Sequence, residues 1–144
     1  MTQVLLVGTD CSECSHRAVD YAAKWARLAK LHLYVTHVIE WSPFAFSTLQ
    51  ENEERHMRRE AELERAHSQI LDPVVADLRS RGVDAEGVVR HGHPAETLSA
   101  LANELGATNI IIGRKGQSPI KTKLFGSVAS TLVQISDHPV TVIP

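Results

Sequence analysis

The chain has 144 residues, of which 43% are hydrophobic and 22% charged, and a formal net charge of -2. That length suits one domain with a proper core, and the balanced charge gives no reason to expect nucleic acid or an anionic membrane surface as a partner. The apolar runs are far too short to cross a bilayer. The opening MTQVLLVGTD lacks a secretory pattern, and two cysteines without an export signal fit a reducing, cytoplasmic setting.

Val4 to Val7 is a continuous apolar run closed by Gly8-Thr9-Asp10. Continuous rather than alternating hydrophobicity predicts a strand covered on both faces, as in a parallel sheet. Ser12 or Ser15 is placed to cap the following helix, whose apolar positions Ala18, Ala22, Trp25, Ala26 and Ala29 keep helical spacing. Leu31 to Ile39 reads as a second strand, broken by Trp41-Ser42-Pro43. Gln50 to Arg81 is the longest helical stretch, with residues 42 to 56 a loop or helix start. Its first half is so polar that only a thin apolar stripe remains, and Glu51–Arg55 and Glu54–Arg58 at i,i+4 support a solvated helix. Pro73 should kink or split it, and Gly82 stands where a helix ends.

Asp84 to Arg90 holds a third strand, and His91-Gly92-His93-Pro94 is a turn in which Pro94 suits the first turn of a helix. That helix runs from Ala95 to Leu105 with Leu98, Leu101, Ala102 and Leu105 on one face, and Gly106 stops it. Asn109 to Ile112 is the fourth strand. A last helix carries Val128, Ala129, Leu132 and Val133, and Pro139 to Ile143 closes the chain as a fifth strand. Strands and helices alternate throughout. The expected fold is therefore α/β: one doubly wound, five-stranded parallel sheet with helices on both faces and right-handed crossovers.

In such sheets ligands bind beyond the carboxyl ends of the strands, where strand order reverses. Two polar turns fall at strand ends, Thr9-Asp10 and the stretch GRKGQSPIKTKLFGSV from Gly113 to Val128. If strands one and four are neighbours, both turns face one crevice. Glycine admits positive φ and close approach of a ligand to main-chain N–H groups. Arg114, Lys115, Lys121 and Lys123 make the stretch basic, and its end at Gly126-Ser127 opens a helix whose dipole favours an anion. Neither a Walker pattern nor G-x-G-x-x-G is present.

The spacing Gly113-x2-Gly116-x9-Gly126-Ser127 resembles the motif G-x2-G-x9-G-(S/T) of the ATP-binding branch of the universal stress protein family. The resemblance extends to VLLVGTDCSECSHRA, to Gly92-x-Pro94 and to the closing HPVTVIP, which together span nearly the whole chain. It implies an adenine nucleotide alpha hydrolase-like, Rossmann-like fold. By this resemblance Thr9 and Asp10 bind the ribose or adenine side of ATP, and Val38 flanks the adenine. Gly113, Arg114 and Gly116 line ribose and phosphates, while Gly126, Ser127 and Val128 hold phosphate oxygens. Lys121 and Lys123 either reach the outer phosphates or belong to a solvated loop. Cys11 replaces a glycine frequent in the family, and Pro119 stiffens a loop that is often glycine-rich. AMP or ADP could take the place of ATP, with Mg2+ held through the phosphates and Asp10.

The same resemblance implies homodimers through Val140 to Ile143. It points to a regulator or sensor whose occupancy is read by an unidentified protein, an enzyme or a transporter, with neither nucleic acid binding nor membrane insertion. No residue is placed to activate water at a γ-phosphate, so the alternative of ATP hydrolysis or autokinase activity would be slow. A third reading is a dithiol redox protein through Cys11-Ser12-Glu13-Cys14, although an aromatic before the first cysteine and a downstream proline turn are missing. One C-x-x-C is too few ligands for structural zinc. His91 and His93 flank Gly92 after the third strand, a position that suits a surface or helix-capping role better than catalysis, and no Ser–His–Asp spacing or paired carboxylates are evident.

Overall fold

Leu5 and Val7 are buried in one hydrophobic core and Leu6 in another, so the first strand has no solvent face and its uninterrupted apolar run is explained. The computed structural model describes residues 3–40, 49–116 and 126–144. In order these form β1 (Val4–Gly8), α1 (Glu13–Ala29), β2 (His32–Ile39), α2 (Leu49–Ala66), a π-helical turn (His67–Leu71) and α3 (Asp72–Ser80). Then come β3 (Ala85–His91), α4 (Pro94–Leu105), β4 (Ala107–Gly113), α5 (Ser127–Ile135) and β5 (Val140–Ile143). Trp41-Ser42-Pro43, the Glu51 side chain, Pro119, Lys121 and Lys123 lie outside the described residues.

The five strands are parallel in the order β3-β2-β1-β4-β5, the doubly wound sheet expected from the alternation of elements. β1 pairs with β4 through Leu5↔Asn109, Leu6↔Ile110 and Val7↔Ile111. α1 and α3 cover one face, where Ala18, Ala22 and Leu78 meet Leu5, Val7, Leu33 and Val35. α4 and α5 cover the other, where Leu98, Leu101, Ala129 and Leu132 meet Leu6, Ile110 and Ile112.

Three local outcomes differ from expectation. Trp25 and Ala29 are not on the buried face of α1; Trp25 is 46% exposed beside Tyr21. The buried stripe is Ser15, Ala18, Val19, Ala22, Ala23 and Ala26, whose small side chains let the helix lie close to the sheet and leave no room for an indole. On α5, Ala129 and Leu132 are buried while Val133 faces out. Finally, Pro73 does not itself break a helix. A π-helical turn lies just before it, with the Asp72 N–H donating to the His67 carbonyl, and Pro73 sits in the first turn of α3. Helix ends follow their residues: Ser12 rather than Ser15 caps α1 by accepting the Ser15 N–H at 3.2 Å, and Gly106 ends α4 at φ 65°.

The π-helical turn also places Leu71, fully buried, against β3 at Gly87, where an added Cβ would lie 3.1 Å from Leu71 Cβ. Leu71 thus anchors the polar half of the chain between β2 and β3 to the core. Leu71→Ala should lower unfolding free energy by about 2–5 kcal/mol, read as a shifted urea midpoint. An unchanged midpoint would show that this anchor carries no stability.

Candidate functional site

β1 and β4 are neighbours, and from their carboxyl ends the chain leaves toward opposite faces, to α1 after β1 and to α5 beyond β4. A cavity of about 390 Å³ lies in the crevice between them. All nine residues anticipated from the sequence line it: Thr9, Asp10, Val38, Gly113, Arg114, Gly116, Gly126, Ser127 and Val128. Ser15, Thr36, Glu40, Pro94, Leu98 and Lys115 contribute as well.

The turn after β1 is held by its own side chains. Ser15 Oγ donates to the Ser12 carbonyl at 2.9 Å, so it accepts from Thr9 Oγ1 at 3.1 Å, and Thr9 Oγ1 in turn accepts the Cys11 N–H at 3.3 Å. The Thr9 hydroxyl is therefore engaged within the protein and positions the turn. Its carbonyl accepts a hydrogen bond from His37 Nδ1–H at 2.9 Å, so that ring nitrogen carries a hydrogen. Asp10 Oδ1 accepts the Ser12 N–H at 3.0 Å, which orients the carboxylate at the mouth of α1. Cys11, where the family often has glycine, adopts φ 67°, a left-handed conformation that disfavours side chains with a Cβ.

The motif glycines serve close approach and not unusual dihedrals. The positive-φ glycines are Gly82, Gly92 and Gly106; Gly113, Gly116 and Gly126 are not among them. A Cβ on Gly113 would lie 2.8 Å from Cys14 Cβ and 2.9 Å from its carbonyl carbon. One on Gly116 would lie 2.7 Å from Asp10 Oδ2, and one on Gly126 3.3 Å from the Arg114 carbonyl oxygen. The three glycines thus let the β4 loop nest against α1, against Asp10 and against itself.

At the start of α5, Gly126 is the N-cap in extended conformation, without a side-chain cap. Its N–H donates to the Arg114 carbonyl at 2.7 Å. The N–H groups of Ser127, Val128 and Ala129 have no intrahelical acceptor at such a helix start. With Arg114 and Lys115 alongside, they make this end of the cavity anion-seeking. Val38, Pro94 and Leu98 add apolar wall, with Leu98 lying over Gly8 of β1 beside Ile112 of β4.

Thr36 went unnoticed in the sequence because a threonine inside a strand run reads as an ordinary β-former. Its signal is tertiary. Among the described residues the buried side-chain polar atoms without a hydrogen-bond partner are Thr36 Oγ1 and Arg114 Nε, and both residues line the cavity. His91 and His93 do not line it; His91 Nε2 donates to the Arg59 carbonyl at 3.3 Å and His93 stands at the N-cap of α4. Among the described residues no three His, Cys, Asp or Glu side chains gather to hold a metal, and no helix is long and apolar enough to cross a membrane. Both cysteines are free thiols. Desolvation, and then the Asp10 carboxylate beside it, push the Cys11 thiol up from its ordinary value, the reverse of what a redox nucleophile needs.

The profile of the universal stress protein family matches residues 1–144. A universal stress protein of Mycobacterium tuberculosis is 32% identical over 155 residues, covering 97% of this chain and 47% of its own length. The chain spans about half the length of the mycobacterial relatives it matches. Among solved structures, the protein MJ0577 of Methanocaldococcus jannaschii superposes with a TM-score of 0.81 at 24% identity, over 99% of this chain and 96% of that one. A universal stress protein of Archaeoglobus fulgidus in complex with dAMP gives a TM-score of 0.66 at 23% identity, over 100% and 98% of the chains. Another, in complex with cAMP, gives 0.65 at 25% identity, over 99% and 97%. The 3-2-1-4-5 parallel sheet is that of the adenine nucleotide alpha hydrolase-like fold.

Two measurements test the local geometry. Gly113→Ala meets backbone and should lower stability by about 1–3 kcal/mol, whereas Gly116→Ala meets only the end of the Asp10 side chain and should leave the urea midpoint near wild type. Equal losses would mean that Gly113 is not packed on α1. Alkylation of Cys11 by iodoacetamide should be slow at neutral pH and accelerate only in the alkaline range, because less thiolate forms. Fast labelling near pH 6 would restore the redox reading.

Proposed function

The chain belongs to the universal stress protein family, and from that premise we propose that it is an ATP-binding member whose occupancy regulates a partner protein. The observation that carries this reading is the composition of the cavity. An uncapped helix start with Arg114 and Lys115, an apolar wall of Val38, Pro94 and Leu98, and Asp10 at the turn of β1 all line it. Phosphate, base and ribose ask for those three environments. A volume of about 390 Å³ is that of a small-molecule site. The partnerless Arg114 Nε and Thr36 Oγ1 are polar groups in want of a ligand. That related proteins have been solved with dAMP and cAMP supports adenine as the base.

In this reading Asp10 accepts from the ribose hydroxyls, and Val38 and Leu98 pack the base. Gly113 and Gly116 keep the loop low enough to admit the sugar and phosphates. The N–H groups of Ser127 and Val128, the Ser127 hydroxyl and Arg114 hold phosphate oxygens. Asp10 lines the cavity, and a Mg2+ ion would enter with the phosphates near it. Thr9 holds the turn that aims Asp10. The whole of residues 1–144 acts as one nucleotide-binding unit in a cytoplasmic protein.

Occupancy has a short route to the surface. The Gly126 N–H donates to the Arg114 carbonyl and the Arg114 N–H donates to the Ile143 carbonyl, each at 2.7 Å. Arg17 Nε holds the Pro144 carbonyl at 2.9 Å. β5 is an edge of the sheet with half-exposed residues, and an exposed edge invites pairing. We read Val140 to Ile143 as the surface for a second copy, with the regulated enzyme or transporter sensing the occupied site.

Equilibrium dialysis with ATP, ADP and AMP tests the site. Gly116→Val, which drives a side chain into Asp10, should weaken ATP binding by more than tenfold, about 1.4 kcal/mol or more. Unchanged affinity would move the nucleotide elsewhere. Phosphate release over hours should stay at background; steady release lost on Asp10→Asn would make the protein a slow hydrolase instead.

A further inference from the structure

Thr36 poses a question that the fold alone does not answer. It sits in the interior of the sheet on β2, opposite Gly8 of β1 and Val88 of β3, with 1% of its surface exposed. Its carbonyl accepts the Thr9 N–H at 2.8 Å, yet its hydroxyl has no partner. Alternation along β2 puts its side chain on the face of Tyr34 and Val38, toward α4 and α5, and it forms part of the cavity wall with Val38 and Leu98. Valine has the same shape and would fill this position without burying an unpaired hydroxyl, which destabilises a fold. A polar group kept dry in the wall of a cavity is explained when a ligand atom meets it.

The position of Thr36 says which part of a ligand that is. β2 and β4 flank β1, so they lie about 9–10 Å apart. The anion-seeking groups stand over β4 and the start of α5. A nucleotide with phosphates there extends its base toward β2, where Val38 lies beside Thr36 in the cavity wall. We propose that the Thr36 hydroxyl is a specificity-determining group that donates a hydrogen bond to a ring nitrogen of the adenine. This inference rests on the nucleotide reading given above.

Isothermal titration of the wild-type, Thr36→Val and Thr36→Ser proteins with ATP tests it, together with deaza analogues that each lack one ring nitrogen. Thr36→Val should raise the thermal midpoint by about 2–4 °C while lowering ATP affinity about three- to tenfold. Thr36→Ser should keep the affinity. One analogue should bind the wild type more weakly by a similar factor but lose nothing further on Thr36→Val, the signature of a direct pair. Wild-type ATP affinity in Thr36→Val, a lowered midpoint, or analogue losses that persist undiminished in that variant would each overturn the proposal while leaving the nucleotide site in place. Failure of the wild type to bind ATP at all would remove the site reading itself.

Discussion

Parallel pairing of β1 with β4 obliges two consecutive halves of the chain to wind in opposite directions from a shared seam. Right-handed crossovers carry the chain after β1 to one face, where α1 packs, and after β4 to the other, where α5 packs. At the carboxyl ends of these two strands the polypeptide parts and leaves a crevice that neither helix fills. Main-chain N–H groups, the Asp10 carboxylate and the basic loop then converge without any one local element having to create the site. The hydrogen bonds from Val4 to Val7 across to β4 are therefore what makes Asp10 and Gly126 neighbours in space.

Within the crevice three glycines at and beyond the end of β4, Gly113, Gly116 and Gly126, act by exclusion of side-chain volume. Gly113 lets β4 end directly on Cys14, Gly116 lets the loop meet Asp10, and Gly126 lets the chain return under Arg114. None of these three needs a left-handed backbone. The left-handed strain near the site falls instead on Cys11 at φ 67°, where a Cβ is disfavoured by about 1–2 kcal/mol. The Thr9–Ser15–Ser12 hydrogen bonds and the Asp10 bond to the Ser12 N–H hold that turn in place. Rigidity at β1 and close packing at β4 are complementary: one side fixes the carboxylate and the other brings backbone donors to it.

The polar groups of the cavity divide by whether the protein already satisfies them. Thr9, Ser15 and the Gly126 N–H are bonded internally and hold the walls. Thr36 Oγ1 and Arg114 Nε are buried without partners, and a buried hydrogen-bonding group left unmade costs about 1–3 kcal/mol. A fold selected for stability alone would place apolar side chains there. Both residues line one cavity, Thr36 on β2 and Arg114 just past the end of β4.

The order and type of the elements were legible in the sequence, because β1 and β4 are buried on both faces and so read as unbroken apolar runs. Glycines 82 and 106 likewise end helices by their freedom at positive φ. The nine candidate residues named from the sequence, most of them in the turns after β1 and β4, all line one cavity. What only tertiary structure decided depends on contacts between segments far apart in the chain. The sequence does not encode locally that Trp25 lies outside the stripe packed on the sheet, or that a π-helical turn precedes Pro73. Nor does it show that the Gly126 N–H is taken by Arg114, or that a threonine in the interior of β2 turns an unpaired hydroxyl toward a cavity. Burial and hydrogen-bond satisfaction are properties of neighbours in space, and neighbours in space exist only once the strands have paired.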